Sequence, residues 1–182
     1  MEGLPATIHD VVANASQSVA ADLVEWFAEA WRDPTYESFC AHVTPRLAPG
    51  ARMVQPLVAT HSGPEAFCRN IAPLFAAFPD VHARVLDWRG DEREVFIEFH
   101  LQGTLGRRFV RLHVCDRFSL RAGVVTERVS FFDPAPLLGA ALRDPRALLA
   151  LGRMRRRGRA LYETAFPFGF TTSQVPPNST TL

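Results

Sequence analysis

Between Val81 and Asp133 the sequence reads as four successive strands, and that run limits what the chain can fold into. VHARVLDW sets Val81, Ala83 and Val85 against His82, Arg84 and Leu86. EVFIEFHLQG puts Val95, Ile97, Phe99 and Leu101 on one face; FVRLHVCDRFSL and VVTERVSFFD come after it. A period of two makes each a strand with two unlike faces. The connections RGDER, GTLGRR and RAG are short and contain glycine, which predicts an antiparallel meander.

Helical spacing precedes the meander. SVAADLVEWFAEAW repeats Val19, Leu23, Trp26, Phe27 and Ala30 on one stripe. Asp33-Pro34 ends it, and Pro34 opens a short second helix through Tyr36, Phe39 and Val43. RLAPGARMVQP turns at Pro49-Gly50 and then reads as a short strand ending at Pro56. A third helix starts near Ser62, carries Phe67, Ile71, Leu74, Phe75 and Phe78, and stops at Pro79. Helices first and strands after them predict an α+β domain with the helices on one face of the sheet. After Asp133 the pattern returns to two helices divided at Asp144-Pro145. The chain divides into a lead-in (1–17), an α+β domain (18–140), a helical extension (141–168) and a polar, disordered tail (169–182).

One stretch departs from the binary pattern. In RLHVCDRF, the face with Leu112, Val114 and Phe118 also carries Asp116, while Arg111, His113, Cys115 and Arg117 form the wet face. A carboxylate turned toward a core is costly unless it is paired, hydrogen-bonded or protonated.

Four strings in order, FPDVHARVLDW, GDEREV, GTLG and DRFSLRAGVVTERVSFFDP, resemble the SnoaL-like polyketide cyclases of the nuclear-transport-factor-2-like (ketosteroid-isomerase-like) superfamily. The resemblance covers roughly residues 18–140 and implies a cone-shaped, curved, mostly antiparallel sheet packed on N-terminal helices around an apolar pocket, commonly in a homodimer. It places Val95, Ile97, Phe99, Leu101, Leu112, Val114, Phe118 and Phe132 inside, with the polar groups Gln55, Asp116, Arg128 and Ser130. Glu98, His100, Arg111 and His113 fall on the outer face, which in this superfamily often meets another subunit.

The same resemblance shows departures. Asp116 stands where the steroid isomerases hold a protonated aspartic acid and the cyclases a histidine. Gln55 replaces the isomerases' proton-moving carboxylate, and Ser130 the aspartate of cyclases and epoxide hydrolases. Ile97 and Phe99 stand where the hydrolases need Arg and Asp. Fold alone therefore does not decide the chemistry.

Asp116 and Arg128 are the candidate catalytic residues. Either Asp116 is kept protonated by desolvation and donates to a substrate oxygen, or Arg128 pairs with it. A third reading makes the two a purely structural pair. Gln55 and Ser130 would orient a ligand; Phe99, Leu101, Leu112, Val114, Phe118, Phe132 and Trp26 would line its site. Tyr36 and Trp26 would stand at the pocket mouth, with helix-face core as the plainer alternative for each, and His61 would reach the pocket, with a loop or capping role as its alternative. The leading function is cofactor-free isomerisation or cyclisation of an apolar, carbonyl-bearing, polyketide- or steroid-like compound. Alternatives are a binding or assembly module that has lost the chemistry, and an epoxide hydrolase.

Composition narrows the remaining possibilities. The 182 residues, 47% hydrophobic and 21% charged, suit one soluble domain with an appendage, and a net charge of +1 gives no field for nucleic acid or membrane. GRMRRRGRALYETAFPFGF therefore reads as a solvated helix with an aromatic end that docks on the domain or a second subunit. The histidines lack HxxxH or HExxH spacing, so no metal site is expected, and GTLG opens no helix, so no phosphate loop. Three cysteines, an odd number, read as reduced thiols in a cytoplasmic protein without a secretion signal.

Overall fold

The structure, a computed structural model, describes residues 8–56 and 58–153. Its order is α1 (Ile8–Ala30), α2 (Tyr36–Val43), a 3-10 turn, β1 (Leu47–Gln55), β2 (Val58–Ser62), α3 (Pro64–Ala77), β3 (His82–Gly90), β4 (Glu94–Leu105), β5 (Arg108–Arg121), β6 (Val124–Phe132) and α4 (Ala135–Arg143). Residues 145–153 are helical as well. The six strands form one curved, unclosed sheet in the order β2-β1-β6-β5-β4-β3. The meander β3 to β6 is antiparallel, as its short turns require, whereas β1 joins β6 in parallel. The protein is α+β, with the helices against one face.

Several boundaries differ from the sequence reading. α1 starts at Ile8, inside the stretch expected to be a lead-in. α2 starts at Tyr36 because Thr35, not Pro34, supplies the cap: its Oγ1 accepts from the Ser38 N–H, and the Ser38 hydroxyl oxygen accepts from the Thr35 N–H. Pro49-Gly50 is not a turn; both lie within β1, where the pairing with β6 slips between Leu47 and Arg52, a place that tolerates proline. β2 has no counterpart in the sequence reading, since THSGPEAF looks like the approach to a helix. The first β-hairpin of the long strands is tighter than GTLGRR suggests: β4 runs to Leu105 and only Gly106-Arg107 turns.

Gly106 has φ +65°, and a Cβ there would come within 2.5 Å of the Ala147 amide nitrogen. The close approach seats the 145–153 helix on the hairpin. Asp144 fixes it further, accepting from the backbone N–H groups of Arg107 (2.7 Å) and Arg146 (2.9 Å). The start of the C-terminal extension therefore packs on the α+β domain, through Ala147 and Leu151. The remainder of the extension and the tail, residues 154–182, lie outside the described residues.

The core lies between α1 and the inner face of the sheet. Leu23, Phe27 and Ala30 are buried against Val95, Ile97, Phe99 and Phe118, with the Phe27 and Phe99 rings 4.8 Å apart. Trp31 packs on Phe39 of α2 and stacks on Phe75 of α3. Burial of such rings is the main stabilising contribution here.

The cysteines depart from expectation. Cys40 of α2 and Cys68 of α3 form a disulfide, with Cα atoms 5.9 Å apart, and Cys115 alone is free. Nothing in their spacing could announce the pair; α2 and α3 pack side by side only after the chain folds. The bond closes 28 residues of sequence, so Cys68→Ser is expected to lower the unfolding free energy by about 3–4 kcal/mol in urea melts. Reducing agent should shift wild type by a like amount and leave the variant unmoved.

Candidate active site

β5 and β6 build the site. Asp116 is paired across the ladder with Ser130, and Phe118 with Arg128, so Ser130 stands directly opposite Asp116 and Arg128 stands on the diagonal two residues away, on the same face. The Asp116 side chain is 0% exposed. Arg128 Nε donates to its Oδ2 at 2.6 Å, and the Ser130 hydroxyl donates to Oδ1 at 2.5 Å. Both oxygens thus act as acceptors toward groups of the protein. The geometry is the paired arrangement, one of the readings that the sequence allowed.

In front of this cluster lies a cavity of about 110 Å³, bounded by the sheet, α3 and α4. Gln55, Phe99, Leu101, Leu112, Val114, Arg128, Ser130 and Phe132 line it, as does Leu137 of α4. Asp116 does not; it sits behind Arg128 and Ser130. Phe118 and Trp26 do not either. They border a separate void of about 20 Å³ under α1, with Phe27, Met53 and Phe67. Phe118 lies two ladder rows beyond Ser130, where α1 covers the sheet, and the Trp26 indole is held by its N–H bond to the His42 carbonyl (3.3 Å). Arg128 borders both spaces, its guanidinium carbon 6.0 Å from the Phe67 ring centre.

Among the described residues, Arg128 is the only charged one that lines the larger cavity. Its side chain is 12% exposed, with Nε committed to Asp116. The polar lining is completed by Gln55, Asn70, Gln102 and Ser130. Sequence reasoning missed Asn70, which lies on the α3 stripe between Phe67 and Leu74; that spacing was the available signal. Its side-chain N–H donates to the Ala66 carbonyl at 2.8 Å, leaving its own carbonyl oxygen for the cavity.

His61 of β2 is opposite Met53, which is opposite Arg128, so it shares their row of the sheet. Its ring stacks on Phe67 at 6.4 Å and its Nδ1–H donates to the Ala59 carbonyl, while Nε2 is buried with no partner among the described residues. Desolvation lowers its pKa, opposed by the Ala59 bond and reinforced by Arg128 and Arg69. A histidine whose folded pKa is depressed contributes fully above its unfolded value of 6.5 and loses that contribution as pH falls toward the folded value. Stability is therefore expected to decline below about pH 6.5, and His61→Phe should flatten that limb in unfolding curves taken across the range.

On the outer face, His113 and Glu98 are bonded at 2.5 Å and the His100 and His113 rings lie 5.4 Å apart. Burial, then the neighbouring Asp116 and Glu98, pushes the Cys115 thiol up, which makes it a poor nucleophile. Among the described residues no group of three or more His, Cys, Asp or Glu is placed to hold a metal ion.

Solved structures share this fold. A protein assigned to the SnoaL-like polyketide cyclases, from Jannaschia sp. CCS1, superposes with a TM-score of 0.61 at 18% identity, covering 76% of this chain and 96% of that one. A Catenulispora acidiphila protein with a ketosteroid isomerase-like fold, solved with trimethylamine, gives 0.57 at 17% identity over 65% and 91%. An LEH-like epoxide hydrolase of M. tuberculosis gives 0.56 at 18% identity over 72% and 96%. No curated protein matches the chain. The model of the SnoaL-like domain matches residues 23–128, more than half of the sequence, and the chain belongs to that family.

Proposed function

We propose that the protein is a cofactor-free small-molecule enzyme in which Arg128 binds the carbonyl oxygen of an apolar substrate and stabilises the negative charge that develops there. The single observation that carries this reading is the Arg128 guanidinium at the wall of an otherwise apolar cavity, held from behind by buried Asp116. A donor fixed before the reaction begins loses little in reorganisation, and such preorganised charge is usually the largest single contribution to catalysis. Asp116 and Ser130 are then positioning groups, and Gln55 and Asn70 orient the rest of the ligand.

Of the two reactions expected from the sequence, cyclisation fits better than isomerisation. An isomerase must carry a proton between two carbons, and no carboxylate, histidine or cysteine lines the cavity among the described residues. Ring closure of a poly-β-carbonyl chain also removes a carbon-bound proton, but that proton lies between two carbonyls and is acidic enough to pass to water. Water in turn protonates the new alkoxide, so closure gains chiefly from confinement and from polarising the carbonyl that is attacked. Epoxide hydrolysis needs an activated water and fits least. The lack of a lining base also favours a second reading, a binding module that has kept the cavity without turnover.

The experiment is incubation with linear poly-β-carbonyl esters, with mass spectrometry for dehydrated, cyclised products and calorimetry for binding. Product from wild type that disappears in Arg128→Gln supports the enzyme. Binding of the set without conversion supports the module.

A further inference from the structure

Strand pairing gives the larger cavity a direction. On the inner face Asp116 stands opposite Ser130; the next row holds Phe99, Val114 and Phe132, the next Leu101 and Leu112, and the last Gly103 and Val110. From the Asp116 row to the Val110 row is about 20 Å of strand. α3 runs over the sheet in the same sense. Phe67 near its start has its ring centre 6.0 Å from the Arg128 guanidinium carbon. Phe78 at its end lies against Gly103, where an added Cβ would meet the Phe78 Cδ1 at 3.3 Å.

The polar lining collects at one end of this axis. Arg128 and Ser130 belong to the Asp116 end. Met53 pairs with Arg128 and Val54 with Val129, so the next step along β1 brings Gln55 beside Ser130. Asn70 is one turn past Phe67 and lies over the same end. Beyond it the walls are Leu101, Leu112 and Val110 from the sheet, with Leu74 and Phe78 from α3. Gln102 borders this far part too, but its side chain is committed elsewhere: Nε2 donates to the His82 ring (2.8 Å) and Oε1 accepts from Arg111 Nε (3.0 Å). Among the described residues, the Leu101 and Val110 rows turn no other polar side chain to the cavity.

We propose that the substrate carries its oxygens at one end only. A ketone, or a short run of β-carbonyl groups, lies among Arg128, Ser130, Gln55 and Asn70, and an unoxygenated hydrocarbon body lies along Leu101, Leu112 and Val110. The inference rests on Arg128 as the carbonyl donor, and it narrows the poly-β-carbonyl compounds to those oxygenated near one terminus. An oxygen in the far part gives up its water and gains no partner, which weakens binding roughly 10- to 100-fold. A chain with a ketone on every second carbon throughout its length incurs that loss at several positions. Gln55 and Asn70 then set how many oxygens the near end accepts, and Val110 and Leu112 exclude them from the far end.

The test is calorimetry with 2-acetylnaphthalene and with the same ketone bearing a methyl or a hydroxyl group at carbon 6, the opposite end of the ring system. Whichever way round the hydroxy compound enters, one oxygen meets the far walls. Wild type is expected to bind the parent and the methyl compound alike and the hydroxy compound at least about tenfold more weakly. Val110→Thr keeps the branched shape and adds a hydroxyl at the far end, so it should narrow the gap between methyl and hydroxy compounds by at least about threefold. Equal binding of those two by wild type, or a gap that Val110→Thr leaves unchanged, overturns the inference without touching Arg128. Arg128 is judged separately by Asp116→Leu/Arg128→Met. If 2-acetylnaphthalene binds that variant as tightly as wild type, or binds neither, the carbonyl assignment fails and the inference fails with it.

Discussion

Asp116→Ala is expected to lower the unfolding free energy by about 3–5 kcal/mol, the range for breaking a buried ion pair from one side. The cost arises less from the lost bonds than from the group left behind. Arg128 cannot shed its proton, its side chain is 12% exposed, and Asp116 is the carboxylate within reach of its Nε. Ser130 loses the acceptor for its hydroxyl in the same change. For a domain of this size the loss corresponds to a melting point lower by roughly 10 °C. Circular dichroism in urea measures it directly; a loss under about 1 kcal/mol would mean that Arg128 finds water or another partner, and that the pair is not an isolated buried unit.

Arg128→Gln is expected to have the largest functional effect. Removal of one preorganised donor from an oxyanion site typically costs about 10²–10³ in kcat. The substitution also leaves Asp116, 0% exposed, without its cation, so stability falls by an amount similar to that in Asp116→Ala. The two consequences are separable. Asp116→Leu/Arg128→Met replaces the pair by apolar groups, and buried pairs so replaced are often neutral or more stable. That variant should regain wild-type stability to within about 1–2 kcal/mol while turnover or carbonyl binding stays at the Arg128→Gln level. Recovered activity in the stable double variant would sink the role assigned to Arg128.

The meander was legible because its signal is local. Alternation in β3 to β6 and glycine in three short turns fix both strand and pairing, and the same alternation singled out Asp116. Its partners were legible too, because Arg128 and Ser130 share parity on the next strand and a tight turn leaves little freedom of register. What the chain hides is non-local. β2 and the first half of β1 exist through their neighbours, the parallel pairing of β1 with β6 depends on a crossover, and Cys40 meets Cys68 only through helix packing. Within the site, parity decides which face a side chain takes but not what stands between it and the cavity. Asp116, Phe118 and Val114 share a face, yet only Val114 reaches the larger cavity.

The most direct test of a fixed guanidinium presented to a substrate oxygen is the acidity of a bound phenol. A naphthol is an apolar, ring-shaped mimic of an enol, and its two ionisation states fluoresce at different wavelengths. A charge-assisted hydrogen bond of about 1.5–3 kcal/mol to the oxyanion is expected to lower the pKa of naphthol bound to wild type by about 1–2 units relative to water. The lowering should vanish in Asp116→Leu/Arg128→Met. A bound naphthol whose pKa rises, or is the same in both proteins, would contradict the proposed site.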